Sequence, residues 1–249
     1  MSRNSWIVAG LLVAAIAGLL LFQSLASGAL LPISAVIAAP PVGDLPMMRH
    51  KPPASPEGFG NCPPEGNGGD PELNLLKNRV DKAAYVPVSF DSLLGLTWPR
   101  SAEQRHMDEW TPSGRAFIEQ YLGIPIVVEG YIEALREGIA DPSNCNRVDR
   151  ENHLWRLSLT KGPKDRRAQA VVAISTPQTR VGHTWTADLV RDFLVEGRVL
   201  VRLSGWLYFE PDHPQEIGRT RATLWEITPV LQIEVFQDGR WSPLDKYGK

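Results

Sequence analysis

Two stretches decide the fold class: Arg198-Val-Leu-Val-Arg-Leu-Ser-Gly-Trp-Leu-Tyr-Phe209 and Thr223-Leu-Trp-Glu-Ile-Thr-Pro-Val-Leu-Gln-Ile-Glu-Val-Phe236. Both are rich in β-branched and aromatic residues, which is typical of β-strands. Between them lies Glu210-Pro-Asp-His-Pro-Gln-Glu-Ile-Gly218, where proline, aspartate and glycine favour turns. The sequence therefore predicts a strand, a turn and a second strand near the end of the chain.

Three more strands and a helix are predicted upstream of this pair. The strands cover 126–135, 153–160 and 169–175, and the helix covers 186–196. Gly130 lies inside the first of these strands and predicts a bend or a bulge. The order strand, strand, strand, helix, strand, strand is that of an OB-fold, a partly open five-stranded barrel. We therefore predict a mainly β fold, with an OB-fold-like five-stranded barrel and one inter-strand helix over 123–249. The helix between the third and fourth strands argues against a small sandwich or an SH3-like barrel.

Residues 70–122 are predicted to form a helical and irregular lead-in that packs on the barrel. Asp70 followed by proline is typical of the start of a helix. We expect Lys77 and Arg79, near the end of that helix, to be solvated. A second short helix is predicted from Ser113, which can serve as its cap.

The first 39 residues combine one positive charge with a long apolar run. Arg3 is the only charged residue before Asp44, and residues 6–22 are apolar without interruption. A positive start followed by an apolar core is typical of a signal sequence, and the run approaches the roughly 20 residues that cross a bilayer as a helix. We predict that 1–39 form an N-terminal hydrophobic helix that is a signal sequence or a membrane anchor. The remainder would then be extracytoplasmic, either tethered to the membrane or secreted after cleavage.

Residues 40–69 are dense in proline and glycine, which predicts a Pro/Gly-rich spacer without a core of its own. The spacer carries Cys62, and the second cysteine of the chain is Cys145 in a polar loop. In an oxidising compartment the two can form one disulfide, which would stabilise the fold by roughly 4 kcal/mol through loop closure. In a reducing compartment they remain two thiols, and the sequence leaves both alternatives open.

The chain of 249 residues carries a net charge of −2, which gives no global bias toward nucleic acid or an anionic membrane. One region, 147–180, is nevertheless locally basic, with eight basic and three acidic residues. OB-folds bind single strands through a basic groove and stacked aromatic rings. Candidates for such rings are Trp155, Trp185, Trp206 and Trp225. Single-stranded nucleic-acid binding is therefore an alternative function, although an extracytoplasmic location argues against it.

Catalytic and metal-binding patterns are weak in this sequence. The histidines His153, His183 and His213 are scattered and lack the i, i+4 spacing of a helical zinc motif. Several carboxylates lie near one another at the last turn and strand: Glu210, Asp212, Glu216 and Glu226. A phosphodiester hydrolase or a metal-dependent enzyme on the same barrel is therefore a second alternative. We predict no catalytic residue, no metal and no cofactor.

Four stretches resemble an uncharacterised family of bacterial exported or membrane-anchored proteins with an OB-like β-barrel domain. They are Asn74-Leu-Leu-Lys-Asn-Arg79, His153-Leu-Trp155, Ser204-Gly-Trp-Leu-Tyr-Phe-Glu-Pro-Asp-His-Pro214 and Gly218-Arg-Thr-Arg-Ala-Thr-Leu-Trp-Glu-Ile-Thr-Pro-Val230. The resemblance covers roughly residues 60–236 and implies export but no activity. Thr228 stands where similar chains are expected to have histidine, which argues against a metal on this strand.

Polar side chains are concentrated at the junction of the last turn and strand. We predict that a ligand-binding surface includes His153, Trp155, His213, Arg219, Arg221 and Glu226. The expected function is that of a non-catalytic binding or interaction module at the membrane surface. Its expected partners are the membrane, through the N-terminal helix, and an unknown protein or extracytoplasmic ligand.

Overall fold

The structure, a computed structural model, describes residues 44–46, 51, 54–195 and 199–247. The predicted signal or anchor, 1–39, lies outside the described residues, as does part of the predicted spacer. Within the described part, no helix is both long enough and apolar enough to cross a bilayer.

The described domain is mainly β, and each of the five predicted strands is present. The seven strands of one mixed sheet are β1 (Val86–Pro87), β2 (Pro125–Ile139), β3 (Leu154–Thr160), β4 (Val171–Ser175), β5 (Leu200–Phe209), β6 (Trp225–Gln237) and β7 (Arg240–Pro243). β7 was not predicted. It follows β6 after a two-residue turn in which Asp238 and Gly239 both have positive φ, the backbone conformation that such hairpin turns require.

Within the part of the chain that the structure describes, five short α-helices accompany the sheet. They are α1 (Pro71–Lys77), α2 (Phe90–Gly95), α3 (Pro112–Glu119), α4 (Pro177–Arg180) and α5 (Ala187–Val195). As predicted, Asp70 caps α1, because its carboxylate accepts from the backbone N–H of Leu73 at 2.9 Å. The cap of α3 is Thr111 and not the predicted Ser113, since the Thr111 hydroxyl accepts from the Gly114 N–H. Single 3₁₀ turns lie at Arg100–Ala102, Met107–Glu109, Pro142–Asn144, Arg167–Gln169, Pro214–Glu216 and Leu244–Lys246.

The strands pair in the order β1-β2-β3-β4-β6-β5, with β7 on β6 and a further pairing between β2 and β5. The β1–β2 and β4–β6 pairs are parallel, and the other pairs are antiparallel. The predicted inter-strand helix is α5, which lies between β4 and β5 in the chain and buries Val190 and Phe193.

The long strand β2 changes partner along its length. Its first half pairs with β5 and its second half with β3, and the exchange occurs near Gly130 and Tyr131. A Cβ on Gly130 would lie 2.6 Å from the carbonyl oxygen of Thr160. Glycine therefore permits the close approach of the β3 backbone, and a register irregularity follows between Ile132 and Ala134.

The segment 54–80 lies against the sheet and its loops. Cys62 forms a disulfide with Cys145 across a Cα–Cα distance of 5.8 Å. Asn78 is fully buried, and its side-chain amide donates to the carbonyls of Pro64 and Ser143, both at 2.8 Å. Residues 54–69, predicted as a spacer, are thus held to the β2–β3 loop by one covalent bond and by hydrogen bonds.

Candidate functional site

Four of the six residues predicted to form one surface lie in two separate environments. His153 and Trp155 contact Arg180, whereas Arg221 and Glu226 contact each other. The first environment is here called the tryptophan groove, and the second belongs to what we call the charge cluster. The charge cluster consists of Lys77, Asp141, Glu210, Glu216, Arg221 and Glu226.

Lys77 connects three parts of the chain in the charge cluster. Its Nζ lies 3.0 Å from Asp141 in the β2–β3 loop and 3.0 Å from Glu210 at the end of β5. Burial by itself lowers the pKa of Lys77, but the two carboxylates outweigh burial and raise it well above its usual value. The prediction that Lys77 is solvated is therefore wrong: the ammonium is buried and paired.

Arg79, which was also predicted to be solvated, is buried as well. Its side chain is only 2% exposed, and its guanidinium lies 3.3 Å from the centre of the Trp206 ring. The same guanidinium pairs with Asp81 at 2.6 Å. Both basic residues at the end of α1 thus belong to the interior.

Arg221 and Glu226 form an ion pair that is closed to solvent. Arg221 Nη2 lies 2.8 Å from Glu226 Oε1, and each side chain is only 2% exposed. The hydroxyl of Thr228 donates to the other oxygen of Glu226 at 3.0 Å. Burial raises the pKa of Glu226, while Arg221 opposes that rise. A pair so enclosed does not face a ligand, so we reassign it from the predicted binding surface to the structure of the β5–β6 loop.

The other two predicted residues of this loop lie at the surface. Arg219 is exposed, and His213 borders a cavity of about 270 Å³ above Lys77. His213 Nδ1 lies 3.6 Å from Glu210 Oε1, and the proximity of that carboxylate raises the pKa of His213. Within the described ranges, no group of three or more His, Cys, Asp or Glu residues is placed to hold a metal ion.

The tryptophan groove is a larger depression of about 830 Å³ beside β3. The end of β2, the β2–β3 loop and β3 supply one wall. α4, the segment after it and the start of α5 supply the other wall. The polar and aromatic lining includes Glu137, Arg150, Trp155, Arg180, Trp185 and Arg191, and the apolar lining includes Phe59, Pro177 and Val181. Its volume is within the usual range for small-molecule sites, roughly 300–1,000 Å³.

Arg180 and His153 fix Trp155 in the groove wall. The guanidinium lies 4.5 Å from the centre of the Trp155 ring and donates to the carbonyls of Ser175 and His153, at 2.9 and 2.7 Å. The Trp155 indole N–H donates to His153 Nε2 at 3.0 Å. Burial, and then the charge of Arg180, lower the pKa of His153, so the ring is neutral at pH 7. The approach of Glu137 to the same nitrogen, at 3.4 Å, is therefore not a charge pair.

Two of the three arginines that line the groove differ in their partners. Arg191 bonds to Asp188 at 2.7 Å and also to Glu137. Arg180 is half-buried and has only neutral partners among the described residues, and burial lowers its pKa to about 10. Since a charge that is shielded from water is normally paired, Arg180 is the unusual one of the two.

Trp185 is held by a separate set of contacts, through His183 and Asp245. Its ring stacks on His183 with 3.9 Å between centroids, and His183 Nδ1 lies 2.8 Å from Asp245. Burial by itself raises the pKa of Asp245. Hydrogen bonds from the Thr184 N–H and from His183 outweigh burial and lower the pKa of Asp245 below its usual value. Trp185 is buried, with 7% of its surface exposed, and its indole N–H has no acceptor among the described residues. Buried indole donors usually find a partner.

The locally basic region 147–180 does not form a continuous basic track. Three of its cations pair with carboxylates from other parts of the chain: Arg156 with Glu216, Lys161 with Asp91 and Arg167 with Glu133. Of the four tryptophans proposed as stacking rings, Trp206 and Trp225 are fully buried. Sequence reasoning counted Arg180 among the basic residues but missed its role, because nothing in Pro177-Gln-Thr-Arg180 shows that it will lie on Trp155.

Comparison with known proteins adds little to this geometry. No protein-family model matches the sequence, and no curated protein matches it. Among solved structures, the chain is similar to OBody AM1L10 bound to hen egg-white lysozyme, with 13% identity over 47% of this chain and 83% of that one. The TM-score of that match is 0.24, so no argument below rests on it.

Proposed function

We propose that this chain is an exported or membrane-tethered, OB-like binding module that holds its ligand in the tryptophan groove without catalysis. The observation that carries the proposal is Arg180, a half-buried cation with only neutral partners among the described residues, in the lining of a groove of about 830 Å³. The resemblance to an uncharacterised family of bacterial exported proteins is part of the same proposal.

The strand pairings support an OB-like barrel. Each of β2, β3, β4, β5 and β6 pairs with two others of the five, in the sequence β2-β3-β4-β6-β5 and back to β2. In an OB-fold of this order, α5 is the helix that follows the third barrel strand.

OB-folds commonly bind ligands with the loops after their first and fourth strands. Here those loops hold Asp141 and Glu210, and Lys77 bonds to both. The lead-in therefore occupies this surface, which favours the tryptophan groove as the binding site.

The composition of the groove lining supports a binding function. Among the described residues that line it there is no serine, cysteine or lysine, and the one hydroxyl is that of Thr186. Two of its carboxylates, Glu137 and Asp188, are held by Arg191. The residues present can orient and hold a ligand through charge, hydrogen bonds and apolar contact.

The extracytoplasmic location is supported by the apolar run that follows Arg3 and by the Cys62–Cys145 disulfide, since disulfides persist in oxidising compartments. We expect the protein in intact cells to resist thiol alkylation until a reductant is added. Alkylation of both cysteines before reduction, detected as a mass increase, would contradict this part of the proposal.

The binding proposal is tested with three planar probes of the same shape: benzoate, benzamide and benzamidinium. The full-length protein, labelled with ¹⁵N, is titrated with each probe while the tryptophan indole N–H signals are followed. We expect at least one probe to shift the signals of Trp155 and Trp185 saturably and to leave those of the buried Trp206 and Trp225 in place. No saturable shift with any of the three probes would overturn the binding proposal.

A further inference from the structure

The groove holds one half-buried cation without a counter-ion among the described residues. Arg180 uses two of its N–H groups on backbone carbonyls, which leaves further N–H groups of its planar fork available. Trp185 lines the same groove, but its indole N–H is closed off from the groove and is not available to a ligand. The available N–H groups of Arg180 are donors, so the ligand group that satisfies them must be an acceptor.

A neutral acceptor would satisfy these hydrogen bonds but would leave the half-buried charge of Arg180 without a counter-ion. An oxyanion satisfies both requirements, because guanidinium groups match carboxylate and phosphate geometry and such bonds are charge-assisted. No carboxylate of the described chain fills this role, since Glu137 and Asp188 are engaged by Arg191.

The charges around the groove limit how many anionic groups the ligand can carry. Three arginines line it, and so do three carboxylates: Arg150, Arg180, Arg191, Glu137, Glu151 and Asp188. A nucleic acid needs several phosphate contacts to bind, and this balanced lining does not provide them. The apolar lining of Phe59, Pro177 and Val181 instead suits an uncharged planar or apolar body.

We propose that the tryptophan groove binds a small ligand with a single oxyanion, a carboxylate or a phosphate, which accepts hydrogen bonds from Arg180 while its apolar body lies against Phe59, Pro177 and Val181. This inference rests on the proposed binding function and names its ligand class. The ligand class differs from the polyanion expected of a single-stranded nucleic-acid binder.

The test compares benzoate, benzamide and phenyl phosphate on the full-length protein and on two variants. Arg180→Gln removes the unpaired charge, and Arg166→Gln is the matched control, because Arg166 is exposed and lies outside the groove lining. We expect benzoate or phenyl phosphate to bind the wild type at least about 10-fold more tightly than benzamide, since a hydrogen bond to a charged group commonly changes affinity by about 10- to 100-fold. Arg180→Gln should abolish this preference, and Arg166→Gln should change it less than about 3-fold.

Each outcome separates the two proposals. Equal affinity for benzoate and benzamide, or loss of the preference in Arg166→Gln alone, would overturn the oxyanion inference and leave the binding function intact. Absence of binding by every probe would overturn both. If Arg180→Gln does not fold, Arg180→Lys, which keeps the charge but lacks the planar fork, replaces it, and the wild-type comparison of benzoate with benzamide still decides the point. A preference for phenyl phosphate over benzoate would indicate a phosphate ligand, and the reverse would indicate a carboxylate.

Discussion

The charge cluster and the tryptophan groove both contain cations that are shielded from water. The two regions differ in the groups that contact those cations. In the charge cluster, Lys77 has two carboxylates at 3.0 Å, and Arg221 has one at 2.8 Å. In the groove, Arg180 meets two carbonyls and an aromatic ring. A cation that pairs with a carboxylate of the same protein stabilises the fold. A cation without such a carboxylate can bind an anionic ligand.

This difference has an energetic basis. Breaking a buried ion pair leaves one charge uncompensated, which is strongly destabilising, whereas removing a buried charge that has no counter-ion relieves a desolvation cost. The same kind of substitution should therefore cost much more stability in the charge cluster than in the groove.

The largest effect is expected for Lys77→Met. The variant leaves Asp141 and Glu210 as uncompensated carboxylates near the interior, so we expect the free energy of unfolding to fall by about 3–5 kcal/mol. Urea unfolding followed by tryptophan fluorescence measures this loss. Lys164→Met, at an exposed lysine, is the control and should change stability by less than about 0.5 kcal/mol. A loss below about 1 kcal/mol in Lys77→Met would mean that the cluster is not structural.

An intermediate effect is expected for Glu216 and depends on pH. Burial raises its pKa, but hydrogen bonding and charge from Arg156 outweigh burial and lower the pKa of Glu216 to about 2. Because the folded pKa lies below the ordinary value of 4.5, the stabilisation is fully present above about pH 4.5 and is lost as the pH falls toward 2. We expect Glu216→Gln to be less stable than the wild type at pH 6, by on the order of 1–3 kcal/mol.

The comparison of the two proteins at pH 3 completes this measurement. At pH 3 the carboxylate is mostly protonated in the unfolded chain but still mostly ionised in the folded protein, so unfolding gains from proton uptake and the difference in unfolding free energy between wild type and Glu216→Gln should shrink. Other titrating groups are the same in both proteins and cancel. A difference that stays constant from pH 6 to pH 3 would assign the effect of Glu216→Gln to packing and not to charge.

A smaller effect is expected for Arg180→Met in the groove. The variant loses two hydrogen bonds to carbonyls but also removes a desolvated charge that has no carboxylate partner. These contributions oppose each other, so we expect the unfolding free energy to change by no more than about 1 kcal/mol. Thermal and urea unfolding measure it. A loss above about 2 kcal/mol would place Arg180 with the structural cations and remove the contrast between the two regions.

The smallest effect is expected for Arg219→Ala. Arg219 was predicted from sequence to belong to the binding surface, but it is exposed and lies in neither the groove nor the charge cluster. Its removal should change both stability and probe affinity by no more than experimental error, about 0.5 kcal/mol for stability. A clear loss of probe binding in Arg219→Ala would show that the binding surface extends to the β5–β6 loop.

The strands and α5 could be predicted from the sequence because their signals are local. Alternating apolar residues in 153–160 place Trp155, Leu157 and Leu159 in the core, and the spacing of Val190 and Phe193 places both against the sheet. Such a pattern depends on which side of a strand or helix faces the interior. The periodicity of the apolar residues in the sequence shows that side directly.

The pairing of the charged residues in the two regions could not be predicted in the same way, because the residues that contact each other are distant in the chain. Lys77 at the end of a short helix looks like a solvated lysine until Asp141, 64 residues away, is brought beside it. Arg180 follows β4 in a helix of four residues, too short to show a period. Whether a cation is paired is a property of the assembled fold, so counting charges in the window 147–180 overestimated its basic character.

The disulfide also determines how the domain would carry a mechanical load. Cys62 and Cys145 are covalently joined across 83 residues of sequence. A pull applied to the chain before Cys62 is transmitted through the sulfur atoms to the β2–β3 loop, so residues 63–144 carry no tension along their backbone while the bond is intact. α1 and the ion pairs of Lys77 lie inside that protected loop. For a domain tethered through its N-terminal segment, as we propose, reduction of this one bond would therefore place residues 63–144, with α1 among them, in the path of the force.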